Sequence, residues 1–395
     1  MSDVTDRRAV PRADGRAGGR TTDAFESLFE RSRGNGPGGP GPQGPGGLGG
    51  PGGPGGPVRS RRRRWLVVLG VLTAVLLVLA GGALFAVRKV VSDIDGSIER
   101  FASPFTQIPE AERPKAEPVA AGALNVLLLG SDSRVSAGDP TTWAAGAQRT
   151  DAIMVLHVPA DRKGAYAVSI PRDSWVDVPG RGKAKVNAAF SYGGPALMVR
   201  TVEKLTKLRV DHVAIVDFEG FKTITDLVGG VTVTVPKATK DQRAQFRAGP
   251  QRMDGETALN YVRQRYNLPG GDFDRVKRQQ NWIRALVKEM RAQGTIRNPV
   301  LLNDALRAFS SSLATDEGLT IETMQDLALS LRDLRAGDIA FLTAPVAGTG
   351  RSPDGQSIVT LDTARAEGLW TALRRDRVRP WIDENSDDVL GATVR

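Results

Sequence analysis

The longest apolar run in the chain, "WLVVLGVLTAVLLVLAGGALFAV" at residues 65–87, contains no charged position. Its 23 residues at ~1.5 Å each make a helix of about 34 Å, enough to cross a ~30 Å hydrocarbon layer with some tilt. The run is too long and too uniformly apolar for a buried helix of a globular domain. The 64 residues before it are too many for a cleaved signal. It is therefore read as a transmembrane helix. Arg59 and Arg61–Arg64 precede it, while only Arg88 and Lys89 follow closely. By the positive-inside rule the N-terminus is cytoplasmic and residues 88–395 lie outside, making a single-pass cell-membrane protein.

Beyond residue 120 the pattern switches repeatedly between strand and helix periods. "ALNVLLLG" (123–130), "DAIMVLHV" (151–158), "AYAVSI" (165–170), "VDHVAIVDF" (210–218), "VTVTVP" (231–236) and "DIAFLTAPV" (338–346) are apolar or alternating runs of strand length. Between them, Leu197, Met198, Thr201, Val202, Leu205 and Leu208 recur at helical spacing. Helices are also predicted over "EGFKTITDLVGG", 255–266, 274–293, near 299–313, near 320–334 and near 362–375. Mixed elements on this scale predict an α/β fold, layered α-β-α. The predicted organisation is a tail at 1–64, the span at 65–87, a proline-broken stalk at 88–119, a folded domain at 120–378 and a flexible tail at 379–395.

Composition changes the picture at the N-terminus. Residues 1–64 hold 12 Arg against 6 acidic residues, so most of the chain's +10 charge lies outside the folded domain. That argues against a nucleic-acid-binding domain, and no nucleic acid is expected as a partner. Residues 34–58 are almost all Gly and Pro and are read as a flexible, disordered linker. The absence of Cys excludes disulfides, thiolate nucleophiles and Cys-based zinc sites. There is no Walker A sequence, no GxSxG and no HExxH. The two histidines, His157 and His212, sit in or beside strand patterns and are read as structural.

The candidate chemistry lies at strand ends and in "YVRQRYNLPGGDFDRVKRQQ" (261–280). "LLLGSDSR" puts Asp132 and Arg134 just past a strand, "QRTDAIMV" puts Arg149 and Asp151 just before one, and "SIPRDSWV" puts Arg172 and Asp173 just past another. Ligands gather at such ends in layered α/β folds. Arg263 and Arg265 precede a Gly-Gly turn; Arg275, Arg278 and Gln279 open the next helix, with Arg275 and Gln279 four apart on one face. Guanidinium groups bind phosphate oxygens in pairs, and a helix N-terminus adds its own pull on anions. The cluster suits a diphosphate. Asp132 and Asp151 suit the Mg²⁺ (or Mn²⁺) ion that accompanies one, held by carboxylates and phosphate.

Taken in order, "NVLLLGSDSR", "RTDAIMV", "SIPRDSWVDVPGRGKAKVNAAFSYGG", "VDHVAIVDFEGFKTITDLVGGVTVTVP" and "YVRQRY…GGDFDRVKRQQ" resemble the LytR–CpsA–Psr family of cell-envelope proteins. The Gly-, Ala- and Arg-rich composition points to its actinobacterial type. The resemblance covers residues 123–293, with a weaker match at "FLTAPV". It implies a central mixed sheet with helices on both faces. It also implies a phosphotransferase that moves a glycopolymer from a polyprenyl diphosphate to peptidoglycan as a phosphodiester, releasing polyprenyl phosphate. By motif, Arg149, Arg172, Arg263, Arg265, Arg275 and Gln279 would hold the diphosphate. Asp132 and Asp151 would hold the metal or activate the acceptor, and Arg172 would act at the reacting phosphate. Arg134, Lys185 and Asp274 are supporting members. Teichoic acid, arabinogalactan and capsule-like polysaccharides all satisfy these motifs.

Three rival readings stay open at this level. Water in place of the sugar hydroxyl would make the same site a polyprenyl-diphosphate diphosphatase. A membrane-bound regulatory or attenuator protein would bind without transfer, and an inactive scaffold would only hold the wall.

Overall fold

Alternation of buried and exposed positions builds the central sheet. The computed structural model describes residues 98–131, 150–240, 242–264, 267–310 and 312–391. The tail at 1–64, the span at 65–87, and Asp132, Arg134, Arg149 and Arg265 lie outside the described residues. Among the described residues no helix is long and apolar enough to cross a membrane.

The strands of the main sheet are β1 (Glu99–Phe101), β2 (Leu124–Ser131), β3 (Thr150–Val158), β4 (Ala165–Ser169), β7 (His212–Val216), β12 (Leu313–Asp316) and β13 (Ile339–Thr343). Their order is β1-β12-β7-β2-β3-β4-β13. β1 runs parallel to β12, β7 to β2 and β4 to β13, while the other pairs are antiparallel, so the sheet is mixed. Four pairs of short strands, two to six residues each, decorate it: β5 (Trp175–Val178) with β6 (Gly182–Lys185), β8 (Val231–Val235) with β11 (Gly249–Met253), β9 (Thr239–Lys240) with β10 (Gln245–Phe246), and β14 (Val346–Arg351) with β15 (Ser357–Leu361).

Helices cover both faces. α1 (Ala188–Thr206), α7 (Thr363–Arg374) and α8 (Val378–Glu384) pack Met198, Val202, Leu369 and Trp370 against Leu127, Leu129, Val155 and Val168. On the opposite face, α4 (Asp272–Ala292) sets Ile283 against Met154, Ala167 and Phe341. α6 (Ile321–Ser330) sets Ile321 against Val126 and Ala214. Successive residues of one strand thus feed opposite cores, as a period of two requires. Each fully buried large side chain contributes about 1.5–3 kcal/mol.

A smaller core forms where α2 (Phe218–Leu227), α3 (Gly255–Arg263) and α4 meet β8 and β11. The "VTVTV" alternation buries Val231, Val233 and Val235 there. α5 (Pro299–Ser310) completes the helices on that side.

Two expectations change. Part of the expected stalk is folded: β1 joins the sheet edge, Phe101 is fully buried, and Pro104 and Pro118 open short 3-10 turns. Proline fixes φ for a turn start, so it marks compact turns here rather than an open tether. Part of the expected C-terminal tail is also folded, because α8 buries Trp381 and Val389 bridges to Leu342.

Candidate functional site

Strand register brings the first two site residues together. β3 and β4 are antiparallel with Met154 opposite Ser169. Three residues back along one strand and three forward along the other, Asp151 and Arg172 therefore meet at one end of the sheet. They form an ion pair through Asp151 Oδ1 and Arg172 Nη1. β2, β4, β7 and β13 all run toward that end, where layered α/β folds collect ligands.

The N-terminus of α4 arrives at the same end. Gly271 sits at φ 57°, a conformation that glycine adopts without strain, and it starts the helix. Gln280, about two helical turns inward, is buried and donates through Nε2 to Ser169 Oγ (2.9 Å), Leu342 O (2.7 Å) and Thr343 Oγ1 (3.1 Å). Those bonds pin α4 to the ends of β4 and β13. Asp272 and Arg275 then project beside Arg172: Arg275 Nη2 lies 2.8 Å from Asp272 Oδ1, and Arg275 Nη1 lies 4.0 Å from Asp151 Oδ1. Arg172 Nε lies 3.5 Å from Asp173 Oδ2 and 3.9 Å from Asp272 Oδ1, and Lys185 Nζ lies 3.0 Å from Asp173 Oδ1.

The result is a cluster of three cations, Arg172, Lys185 and Arg275, and three carboxylates, Asp151, Asp173 and Asp272. Arg172 and Arg275 are buried. The Arg172 Nε and both Asp272 carboxylate oxygens are buried and make no hydrogen bond. Such groups carry a desolvation cost that a ligand relieves. The cluster opens onto a cleft of about 700 Å³ that Arg172, Asp173, Lys185 and Asp272 line.

The other predicted residues have varied surroundings. Asp274 accepts a bond from Gly270 N at 2.8 Å and so shapes the turn before α4. Arg263 stacks over the Phe218 ring, 4.0 Å from its centroid. Arg278 is buried and donates to Gln264 Oε1 (2.6 Å), Thr239 Oγ1 (2.9 Å) and Tyr261 O (3.2 Å), which gives it a structural role. Gln279 is half-buried one turn after Arg275. Reading by motif named Asp173 beside Arg172 without a role, and passed over Asp272 and Gln280. The signals were present: Asp173 adjoins Arg172, and Asp272 is three residues before Arg275 on one helix face.

Oxygen donors at the site fit a Mg²⁺ ion in kind, since Asp151 and Asp272 face the same arginines and the Asp272 oxygens accept no hydrogen bond. Among the described residues no group of three or more His, Asp or Glu side chains forms a metal cage. The histidines stand apart from the cluster: His157 Nδ1 meets Asn125 Oδ1 at 2.7 Å, and His212 Nδ1 meets Asp316 Oδ1 at 3.2 Å.

A layered mixed sheet with arginines and aspartates at its strand ends defines the class, and comparison supplies the family. The LytR_cpsA_psr family model matches residues 100–375. The chain belongs to that family. Cell wall biosynthesis protein LcpA of Corynebacterium glutamicum is 34% identical over 306 residues, covering 68% of this chain and 58% of LcpA. Polyisoprenyl-teichoic acid–peptidoglycan teichoic acid transferase TagU of Enterococcus faecalis is 33% identical over 239 residues, 60% of this chain and 74% of TagU. The crystal structure of B. subtilis TagV superposes with a TM-score of 0.53 at 26% identity, covering 64% of this chain and 97% of that one.

Proposed function

We propose that this chain is a membrane-anchored phosphotransferase that moves a cell-wall glycopolymer from a polyprenyl-diphosphate carrier to peptidoglycan. The observation that carries the reading is the buried, unsatisfied Arg172 Nε in a cluster of guanidinium and carboxylate groups beside an open cleft. A diphosphate supplies the acceptor oxygens this donor lacks. The names of the relatives, a cell-wall biosynthesis protein and a teichoic acid transferase, support the same class of reaction.

In this reading Arg172 and Arg275 bind the diphosphate oxygens and spread the charge that develops during transfer. Asp151 and Asp272 hold those arginines in place before the donor arrives. A hydroxyl of the peptidoglycan glycan attacks the sugar-side phosphorus. The bond from that phosphorus to the bridging oxygen breaks, polyprenyl phosphate leaves with the electron pair, and the hydroxyl proton passes to Asp132 or Asp151. Arg149, Arg263, Arg265 and Gln279 complete the diphosphate site in the same reading, with Arg134, Lys185 and Asp274 in support. Mg²⁺, held by Asp132 and Asp151, would supply further neutralisation of phosphate charge. The span at 65–87 keeps the domain beside its lipid-borne donor.

The test uses the full chain in detergent with a synthetic polyprenyl-diphosphate glycan, Mg²⁺ and peptidoglycan oligomers. Attachment of glycan with release of polyprenyl phosphate, lost in Arg172→Ala, is the expected result. Release of polyprenyl phosphate without attachment would replace transfer by hydrolysis.

A further inference from the structure

A second cleft, of about 660 Å³, lies away from the charged cluster. Residues 108–117, the C-terminal turns of α1 and the β5–β6 turn at Pro179 and Gly180 wall it. It sits at the opposite end of the sheet. β4 and β7 run in the same direction. Arg172 follows the end of β4, whereas Arg113 of the second cleft donates to Val210 O, just before β7 starts. The cleft is therefore no part of the diphosphate site.

Its charge is out of balance. Six cations, Arg113, Lys115, Arg200, Lys204, Lys207 and Arg374, line it against three carboxylates, Glu112, Glu117 and Glu203. The cleft at Arg172 has three of each. Arg113 and Glu203 are buried and satisfy each other, which makes a neutral floor. On the rim, Arg200 pairs with Glu112, Lys204 with Asp177 and Arg374 with Glu367. Those three carboxylates are exposed, and such surface pairs are weak enough for a ligand to open. Among the described residues no carboxylate lies within ion-pair distance of Lys115 or Lys207. The Arg200 Nε is buried and makes no hydrogen bond.

The backbone adds a second observation. Lys207 caps α1 at φ 55° and ψ 16°, the left-handed region where glycine is the usual residue. A lysine there is strained, and it places a cation about one turn past Lys204, itself one turn past Arg200. Three cations thus run along about 10 Å of one helix face. A row of this kind suits an extended chain with anions at intervals; a single phosphate calls for converging donors. The polypeptide comes into the described unit at Ile98, and β1 begins level with Leu129, at the Arg172 end of the sheet. The cleft is at the far end from that point, which favours a soluble polymer over a lipid headgroup.

We propose that this cleft is a polyanion site, which takes a linear polymer bearing phosphodiester or carboxylate groups, with Lys115, Arg200 and Lys207 as its binding cations. The site stands on its own charge and shape. Only its use, holding an anionic polymer at a distance from the reacting phosphate, rests on the transfer reading.

The full chain in detergent is titrated calorimetrically with a glycerol phosphate oligomer, an oligogalacturonate, uncharged dextran and, separately, geranyl diphosphate. One or both polyanions are expected to bind, more weakly as salt rises, and dextran is not. Whichever polyanion binds names the anionic group. The Lys115→Gln/Lys207→Gln variant is expected to bind it about tenfold more weakly and to keep geranyl diphosphate binding unchanged. Arg172→Ala is expected to do the reverse. Lys207→Gly is expected to weaken polyanion binding while raising the urea midpoint, a combination that a merely structural lysine would not give. No binding of either polyanion by the native protein, or binding indifferent to the double lysine variant, overturns the site even when geranyl diphosphate binds. Binding confined to phosphatidylglycerol vesicles overturns it in favour of a membrane contact. Polyanion binding without geranyl diphosphate binding leaves the site standing and overturns the transfer reading.

Discussion

Arg113 and Arg172 are almost equally buried, and each faces carboxylate. They differ in what is left over. Arg113 donates through Nε and Nη2 to both oxygens of Glu203, through Nη2 to Val210 O at 2.6 Å, and lies 4.4 Å from the Phe105 ring centroid. Glu203 accepts in addition from Val210 N at 3.0 Å. The Arg172 cluster has as many charges as it needs for neutrality, yet the buried Arg172 Nε and both Asp272 oxygens make ion-pair contacts without a well-formed hydrogen bond. A saturated pair of this kind locks the fold; an unsaturated one is poised for a ligand. Burial and charge alone do not separate the two. Hydrogen-bond completeness does.

The largest expected effect sharpens this contrast from the active side. Arg172→Ala is expected to lower transfer about 10²-fold or more, while its loss of stability is smaller than that of Arg113→Ala. Arg172→Lys is expected to fail as a rescue, because an ammonium lacks the paired donors. Turnover measured beside a denaturant titration checks both statements, and a variant that loses fold and activity together would erase the distinction. On the structural side, Arg113→Ala is expected to cost about 3–5 kcal/mol by leaving Glu203 buried and unpaired. The double variant Arg113→Met/Glu203→Leu is expected to recover most of that loss, as read from urea midpoints.

A smaller effect tests a single carboxylate that acts by capping. Asp254 accepts from Thr257 N at 2.8 Å at the start of α3, and Asp254→Ala is expected to cost about 1 kcal/mol. The Thr257 side-chain and backbone hydrogen bonds hold its carboxyl below the ordinary range. Its contribution is therefore present above the unfolded-state value and fades as pH falls through the folded-state value. Comparing acid unfolding of the native protein and Asp254→Ala checks this: the two curves should converge at the acid end. Smallest of all, Arg263→Ala is expected to cost about 0.5–1 kcal/mol through the lost stack on Phe218. A far larger loss in geranyl diphosphate affinity would show that Arg263 leaves that ring to bind donor.

The apolar strands were legible because their pattern is dense: β2, β3, β4, β7, β8 and β13 follow the runs that predict them, and α1 to α4 and α7 follow their helical spacing. Short elements left too little signal. β1 has three residues and one apolar side chain, and β12 is only "LATD", next to a helical pattern that runs to 313. The hairpins β5–β6 and β14–β15 have arms of only four to six residues, too short for alternation such as Val176 and Val178 to stand out. At the site, sequence supplied the cations together with Asp151 and Asp173, but not which groups pair. Asp151 and Arg172 are brought together by strand register, and Gln280 acts through three contacts with distant strands. Neither fact has a local pattern.

The edge position of β1 has a mechanical consequence. The chain enters the described unit at Ile98 and passes at once into β1, which is held to β12 by three parallel residue pairs. A pull on that end loads those few backbone bonds first and the Arg113–Glu203 latch only after them. Strand β3, which carries Asp151, and β4, which leads to Arg172, lie further in along the same sheet. Tension arriving through the N-terminal side would therefore be spent at the edge before it could distort the charged cluster.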